Sequence, residues 1–282
     1  MNLPQEMQQH TYAIMDRVED SHWWFVGRRA ILESFLSGIV KRLEFRLQAA
    51  NDDGPQSREY HAKPPESGTP NAPEVGTSNA LHILDVGCGT GANLEMLSQF
   101  GEAEGVDVSD DALEFCRRKG LKVQKGLAEK LPYADDAFDI TTALDVVEHL
   151  DDDIAGLKEM FRVTKHGGYS LIFVPAFMWL WGVQDDISNH RIRYTKKQIV
   201  DRLKEAGYSV ERGTYANWTF FAPILGGRTL MRLTGIKPES ENNVNVSALN
   251  GAFGKLFSAE RFWLKNFNFP FGVSIVVVAR KD

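Results

Sequence analysis

An apolar run over residues 81–86 breaks into the string Asp85-Val86-Gly87-Cys88-Gly89-Thr90-Gly91, and a helical stretch follows to about residue 100. Glycines at this spacing let the backbone turn tightly and come close to a ligand, while the helix behind them offers N–H groups that lack intrahelical partners. The pattern is Gly-x-Gly-x-Gly, with an acidic residue ahead of it on the strand. Asp107, sixteen residues after Gly91, ends a second apolar stretch. A carboxylate placed there can accept both hydroxyls of a ribose. The ligand class these residues suit is nucleotide-like, NAD being one alternative.

The same alternation continues along the chain. Strands are expected over 81–86, 103–108, 121–124, 138–144 and 169–174, with helices over 110–119 and 151–164 between them. Thr195 caps a helix ending at Gly207, a sixth strand follows over 208–212, and 273–279 closes the chain as a seventh. Strands and helices at this pitch argue for an α/β fold whose mainly parallel sheet is covered on both faces. Residues 1–48 read as a helical lid, because their apolar side chains recur at helical spacing. Residues 49–80 read as a flexible linker: five of the eleven prolines lie there, with little to bury. Residues 81–213 form the core, 214–271 an aromatic-rich cap, and 272–282 the final core strand.

Composition excludes several classes. With two cysteines, Cys88 and Cys116, the chain has neither a disulfide framework nor a four-cysteine zinc site. A formal charge of -6 offers no footprint for a polyanion, so nucleic acid is not an expected partner. The residues after Met1 lack a basic and an apolar segment, which points away from a secretory signal and toward a cytoplasmic protein. The longest apolar-leaning stretch, 213–227, is shorter than the roughly 20 residues that cross a bilayer. That leaves peripheral membrane contact open. Oligomeric state is not legible.

Residues 84–91 resemble motif I of the class I S-adenosylmethionine-dependent methyltransferases, and Asp107 matches their ribose-binding acidic residue. Glu129-Lys130-Leu131-Pro132-Tyr133 with Ala137-Phe138-Asp139 resembles the stretch entering the fourth strand, and Arg162-Val163-Thr164-Lys165-His166-Gly167-Gly168 the turn before the fifth. The resemblance spans about residues 81–212 plus the last strand and is of the methyltransferase type 11/12 kind. It implies a Rossmann-like seven-stranded sheet, mostly parallel with the last strand antiparallel, and S-adenosylmethionine as cofactor. By position it implies that Asp85 and Gly87 face the methionine moiety, that Asp107 holds the ribose, and that Ala128 and Glu129 flank the adenine. Cys88, Gly89, Gly91, Val108 and Leu144 complete the expected cofactor set. One departure stands out: Leu127 occupies the position where many relatives carry an adenine-binding aspartate.

Methyl transfer needs alignment above all, and a base only where the acceptor must lose a proton. In Asp145-Val146-Val147-Glu148-His149-Leu150, a helical reading puts Asp145, Glu148 and His149 on one face. The segment resembles the Glu-x-x-Glu-His motif of ubiquinone-pathway and small-RNA O-methyltransferases. There a later histidine completes a metal site, and here that histidine is His190. A divalent cation on Asp145, Glu148, His149 and His190 is therefore one reading. The preferred one is metal-free, with His149 or His190 as base or acceptor contact.

In His190-Arg191-Ile192-Arg193-Tyr194, Arg191 and Arg193 can grip an anionic group and Tyr194 can hydrogen-bond or stack. Pairing of these arginines with Asp185 or Asp186 is the structural alternative. Trp23, Trp24 and Trp179 are expected at the acceptor, as part of a water-excluding lid. The expected acceptor is a small molecule methylated on oxygen. Carbon or nitrogen methylation of a lipid-linked or secondary-metabolite substrate is the alternative within the enzyme class. A non-catalytic, cofactor-binding regulatory protein is the alternative outside it.

Overall fold

The computed structural model describes residues 9–52, 80–235 and 247–282. The chain opens with helices α1 (Gln9–Val18) and α2 (Trp23–Asp52). Next come β1 (His82–Val86), α3 (Ala92–Leu97), β2 (Glu102–Asp107), α4 (Asp110–Arg118), β3 (Val123–Lys125) and β4 (Phe138–Leu144). Then follow α5 (Asp153–Val163), β5 (Thr164–Pro175), α6 (Val183–Ile187), α7 (Lys196–Glu205) and β6 (Ser209–Ala216). Helices α8 (Phe221–Thr234), α9 (Ser247–Ser258) and α10 (Glu260–Leu264) precede β7 (Ser274–Arg280).

The seven strands form one sheet in the order β3-β2-β1-β4-β5-β7-β6, and only β7 runs antiparallel to its neighbours β5 and β6. Consecutive side chains of the central strands enter opposite cores. Ile83, Leu171, Phe173, Val276 and Val278 face one, where Ile31, Leu32, Leu36 and Ile39 of α2 cover the sheet. Leu84, Ile172, Val174, Ile275 and Val277 face the other, under Leu157 of α5 and Ile199 and Leu203 of α7. Burial on both sides is why β7 reads as the unbroken run Ile-Val-Val-Val. Each such side chain contributes about 1.5–3 kcal/mol relative to exposure.

The cap packs on the N-terminal helices. At Gly27 of α2 a Cβ atom would lie 2.2 Å from Phe257 Cδ1 of α9, so the two helices meet through that glycine. Boundaries shift from the sequence reading by one to three residues at several elements and further in the following places. Helix α2 continues past residue 48 to Asp52, because no breaker interrupts Gln48–Asp52. β5 begins at Thr164, ahead of the glycine pair, through an irregular pairing with β4. β6 runs on to Ala216, beyond the 212 expected for its end. Most of the expected linker, and residues 236–246 of the cap, lie outside the described residues. Among those described, no helix is long and apolar enough to cross a membrane.

Candidate active site

The carboxyl ends of β1, β2 and β4 meet at one edge of the sheet, where doubly wound folds place their ligands. The turn after β1 carries Gly87, Gly89 and Gly91 at φ 70, 54 and 90, the left-handed region that glycine enters freely. The three glycines serve different ends. A Cβ at Gly87 would lie 2.5 Å from Val146 Cγ2, and one at Gly91 2.4 Å from Leu121 Cδ1, so both are close-packing positions. Over Gly89 nothing lies within 4 Å among the described residues. The turn therefore opens toward solvent at Gly89.

Carboxylates border that opening. The Asp107 carboxylate accepts from the Gly89 and Ser109 amides, each at 2.9 Å, and so ties the turn to the end of β2. Val108 follows, half-buried. Asp85 is buried at the end of β1; its Oδ1 accepts from the Thr142 hydroxyl at 2.5 Å, while Oδ2 has no hydrogen-bond partner. Burial pushes the Asp85 carboxyl up to about 7, against the pull of Thr142 and Arg28. Cys88 and Cys116 are buried and form no disulfide, and the Cys116 thiol donates to the Gly89 carbonyl at 3.2 Å. Ala128 and Glu129 form the tip of a tight turn bounded by the Leu127–Lys130 bridge. A Cβ at Gly156 of α5 would lie 3.9 Å from Ala128 Cβ, so the turn sits over that helix.

The N-terminal helices lie across this turn. The Thr90 hydroxyl donates to Glu19, and Lys119 donates to the Thr90 carbonyl at 3.2 Å while pairing with Asp16 at 2.8 Å. Arg28 of α2 reaches the end of β4, where its Nη2 donates to the Leu144 carbonyl at 3.2 Å and its Nε pairs with Asp145 at 3.0 Å. Its guanidinium lies between the Trp24 and Phe173 rings. Glu19, Arg28 and Thr142 were not singled out as site residues from sequence; only their positions in three dimensions identify them.

The shared helical face expected for Asp145, Glu148 and His149 does not form. Asp145 adopts a left-handed φ of 61, and only Val147–His149 coil, as one 3-10 turn. Asp145 therefore pairs with Arg28 rather than sharing a helical face with the other two. Glu148 is fully buried with neither carboxylate oxygen hydrogen-bonded, and burial, then the Asp145 charge, push its carboxyl well above the usual range. His190 joins it from the segment after α6: its Nε2 lies 3.9 Å from Glu148 Oε1, and its ring meets that of His149 edge-on at 4.8 Å. Glu148, His149 and His190 thus each offer a ligand atom, all within 4.8 Å of one another. A pocket of ≈ 370 Å³ opens here, lined by His149, Asp186, Asn189, His190 and Arg191.

Asp185 organises the His190 side. Its Oδ1 lies 2.8 Å from His190 Nδ1, and its Oδ2 accepts from the Gly182 amide at 2.7 Å and faces Arg193 and Arg228 at 3.5 Å each. Burial opposes the charge, but His190, Arg193 and Arg228 outweigh it and hold Asp185 below its ordinary value. A carboxylate on Nδ1 fixes the imidazole so that Nε2 presents its lone pair toward Glu148 and the pocket. His149 differs. Burial, followed by the His190 and Arg191 charges, pushes it down to about 3.

Several expected contacts take structural positions. Arg193 is buried on Asp185 and the Leu180 carbonyl, so its charge is consumed inside the protein. Tyr194 is fully buried and donates to Asp153 at 2.6 Å, on the side of α5 and α7, which removes it from the pocket. Trp23 packs into the α2–α9 contact against Phe220 at 4.5 Å, and Trp24 against Phe25 and Arg28. Arg191, at the pocket, pairs with Asp151. Trp179 is half-exposed and stacks on Phe177 at 5.0 Å.

Residues 84–172 match the family described as methyltransferase domain. A demethylmenaquinone methyltransferase of Chlorobaculum parvum is 36% identical over 97 residues, which is 33% of this chain and 40% of that protein. A 2-methyl-6-phytyl-1,4-hydroquinone methyltransferase of Oryza sativa subsp. japonica is 28% identical over 138 residues, 46% of this chain and 40% of that one. The chain thus spans about two fifths of the length of these curated relatives. Among solved structures, a SAM-dependent methyltransferase from Thermotoga maritima superposes with a TM-score of 0.52 over 97% of this chain and 100% of that one. At 21% identity, that likeness is one of fold.

Proposed function

We propose that the methyltransferase domain at residues 84–172 makes this chain an S-adenosylmethionine-dependent methyltransferase that acts on a small-molecule acceptor, with oxygen as the accepting atom. The observation that carries this reading is the open turn at Gly89, flanked by the Asp107 carboxylate and by the unpartnered Asp85 Oδ2. An orphaned buried carboxylate oxygen beside a glycine opening suits a ligand with a cationic end and a ribose. The cofactor supplies, when bound, a sulfonium methyl that an acceptor lone pair takes as the carbon–sulfur bond breaks. Asp85 holds the methionine ammonium, Asp107 the ribose hydroxyls, and the turn around Ala128 and Glu129 borders the adenine. Leu127 leaves that last contact to backbone groups or Glu129. Helices α1 and α2 close over the cofactor through Glu19 and Arg28. His190, oriented by Asp185, removes the acceptor proton at Nε2. The low basicity of His149 makes it the weaker candidate for that step.

Two measurements test the cofactor half. Asp107→Ala is expected to weaken S-adenosylmethionine binding by about 1–3 kcal/mol, for lost charge-assisted hydrogen bonds; unchanged calorimetric affinity would move the ribose elsewhere. Binding should also depend on pH. Asp85 titrates near 7 in the free protein, so below that value it is protonated and offers the ammonium no charge. Affinity is expected to rise about tenfold between pH 6 and pH 8 and then level off, with proton release on binding. Asp85→Asn should flatten the profile. A profile that stays steep in the variant would assign the titration to another group.

Glu148, His149 and His190 also form a nitrogen and oxygen donor set suited to a divalent transition cation. The carboxylate behind His190 is the usual support for a ligating imidazole. Such a cation would act as Lewis acid on the acceptor hydroxyl. Asp145, committed to Arg28, stands outside the set. The metal-free reading expects turnover indifferent to chelator and no calorimetric Zn²⁺ binding sensitive to Glu148→Gln. The opposite pair of results would replace the base with a cation. The quinone-type names of two relatives favour an aromatic acceptor. A hydroquinone ring is nucleophilic at carbon as well as oxygen, which keeps carbon methylation as the second reading.

A further inference from the structure

Large apolar side chains are exposed unevenly in this protein. Nine of the thirteen found among the described residues belong to the cap, where burial in its own core would have hidden them. They adjoin rather than scatter. Phe221 of α8 lies against Phe271 at 4.8 Å, Trp218 stacks on Phe269 at 5.5 Å, and Trp263 of α10 meets Phe267 at 4.8 Å. Phe271 and Trp218 (6.3 Å) and Phe269 and Trp263 (6.2 Å) link these pairs into one ribbon. Within it Trp263 is 52% and Phe267 57% exposed. Contiguous exposed aromatics of this kind mark an interaction surface.

Charge identifies the partner. The chain carries a net charge of -6, yet the described cap residues contain a single acid, Glu260, which is buried under the Asn217 and Thr219 amides. Arg232, Lys255, Arg261 and Lys265 sit among or beside the apolar residues at the surface or partly exposed. Tryptophan and phenylalanine with interspersed cations and, among the described residues, no exposed acid suit the interface of an anionic bilayer. A two-fold contact between two copies would set the same cations against one another, which disfavours a dimer through this face.

We propose that the cap, through the ribbon from Phe221 to Phe267 and its cations, docks this protein on anionic lipid bilayers. Helix α8, at one end of this ribbon, also reaches the candidate site from behind. Arg228 of α8 points inward to the Leu180 carbonyl and to Asp185, the carboxylate that orients His190. Docking thereby brings the pocket to the membrane surface, where an acceptor with an apolar tail resides. That last step rests on the methyl-transfer reading; the docking itself does not.

The test is sedimentation of the full chain with vesicles of phosphatidylcholine alone and of equimolar phosphatidylcholine and phosphatidylglycerol. Binding is expected to the mixed vesicles, with release at high salt and a blue shift of tryptophan emission. The double variant Trp263→Ser/Phe267→Ser should weaken it at least tenfold, and Lys265→Glu at least fivefold. All three residues are exposed, and an unchanged melting temperature checks the fold of each variant. Failure of the wild type to sediment with mixed vesicles, or equal binding by the double variant, overturns the proposal. So does a concentration-dependent dimer that the double variant dissolves, since it gives the face to a second copy. Calorimetric binding of S-adenosylmethionine, measured alongside, shows whether the methyltransferase reading stands when the docking does not.

Discussion

Gly89→Trp is expected to abolish S-adenosylmethionine binding while the protein stays folded, whereas Gly87→Ala and Gly91→Ala lose stability first. The difference follows from what each glycine faces. All three hold left-handed backbone, so any side chain costs about 1–2 kcal/mol in strain. At Gly89 the Cβ adds no overlap to that strain, because it meets nothing within 4 Å among the described residues. The indole then fills the opening beside Asp85 and Asp107. At Gly87 and Gly91 a Cβ would lie 2.5 Å from Val146 and 2.4 Å from Leu121, so overpacking adds to the strain. The total is about 2–5 kcal/mol. Calorimetry with S-adenosylmethionine and S-adenosylhomocysteine, paired with thermal melting, separates the two effects. Micromolar binding lost in Gly89→Trp, with the melting temperature lowered only by the few degrees that this strain implies, would fix the cofactor over this turn. Binding retained by that variant would remove it from there and make an NAD titration the next step.

How far the sequence reaches is visible at the same turn. Strand and helix alternation was legible because period and glycine punctuation are local, and the antiparallel β7 came with the methyltransferase resemblance. The glycine string and Asp107 were legible because they sit at strand ends in a fixed order. The division of labour among the glycines was not, since Val146 and Leu121 come from other elements. The Asp145 segment failed for a different reason. Its i, i+3, i+4 spacing presumes a helix, but a left-handed aspartate starts the turn and swings its carboxylate to Arg28, more than a hundred residues away in sequence. Arg193 and Tyr194 looked like acceptor contacts because chemistry-bearing residues cluster there. Their partners decided otherwise: Asp185, the alternative weighed from sequence, holds Arg193, and Asp153, 41 residues away, holds Tyr194. Asp185 itself lay five residues before His190 and was read only as a surface partner for arginines. A buried carboxylate that binds a histidine is told from a surface one by burial, which spacing does not report.

His190→Ala is expected to lower kcat by about 10²–10⁴-fold with cofactor affinity unchanged, the usual loss on removing a positioned general base. The imidazole is the pocket-lining group whose remote nitrogen is held by a buried carboxylate, and its Nε2 faces the fully buried Glu148. Asp185 acts through it as a positioning residue. Asp185→Ala is the wrong probe, because it strands two nearly buried guanidiniums, Arg193 and Arg228, at a cost of about 3–5 kcal/mol. Asp185→Asn keeps the volume and a hydrogen-bonding oxygen but lets the imidazole exchange tautomers. It should therefore reduce kcat by less than His190→Ala and shift the pH profile of kcat, which a purely structural residue would not do. Kinetics with a hydroxylated aromatic acceptor, read as S-adenosylhomocysteine release, provide both numbers. Wild-type turnover by His190→Ala would leave this histidine as packing or acceptor contact. The proton would then leave without protein assistance, as carbon methylation or an already ionised oxygen would allow.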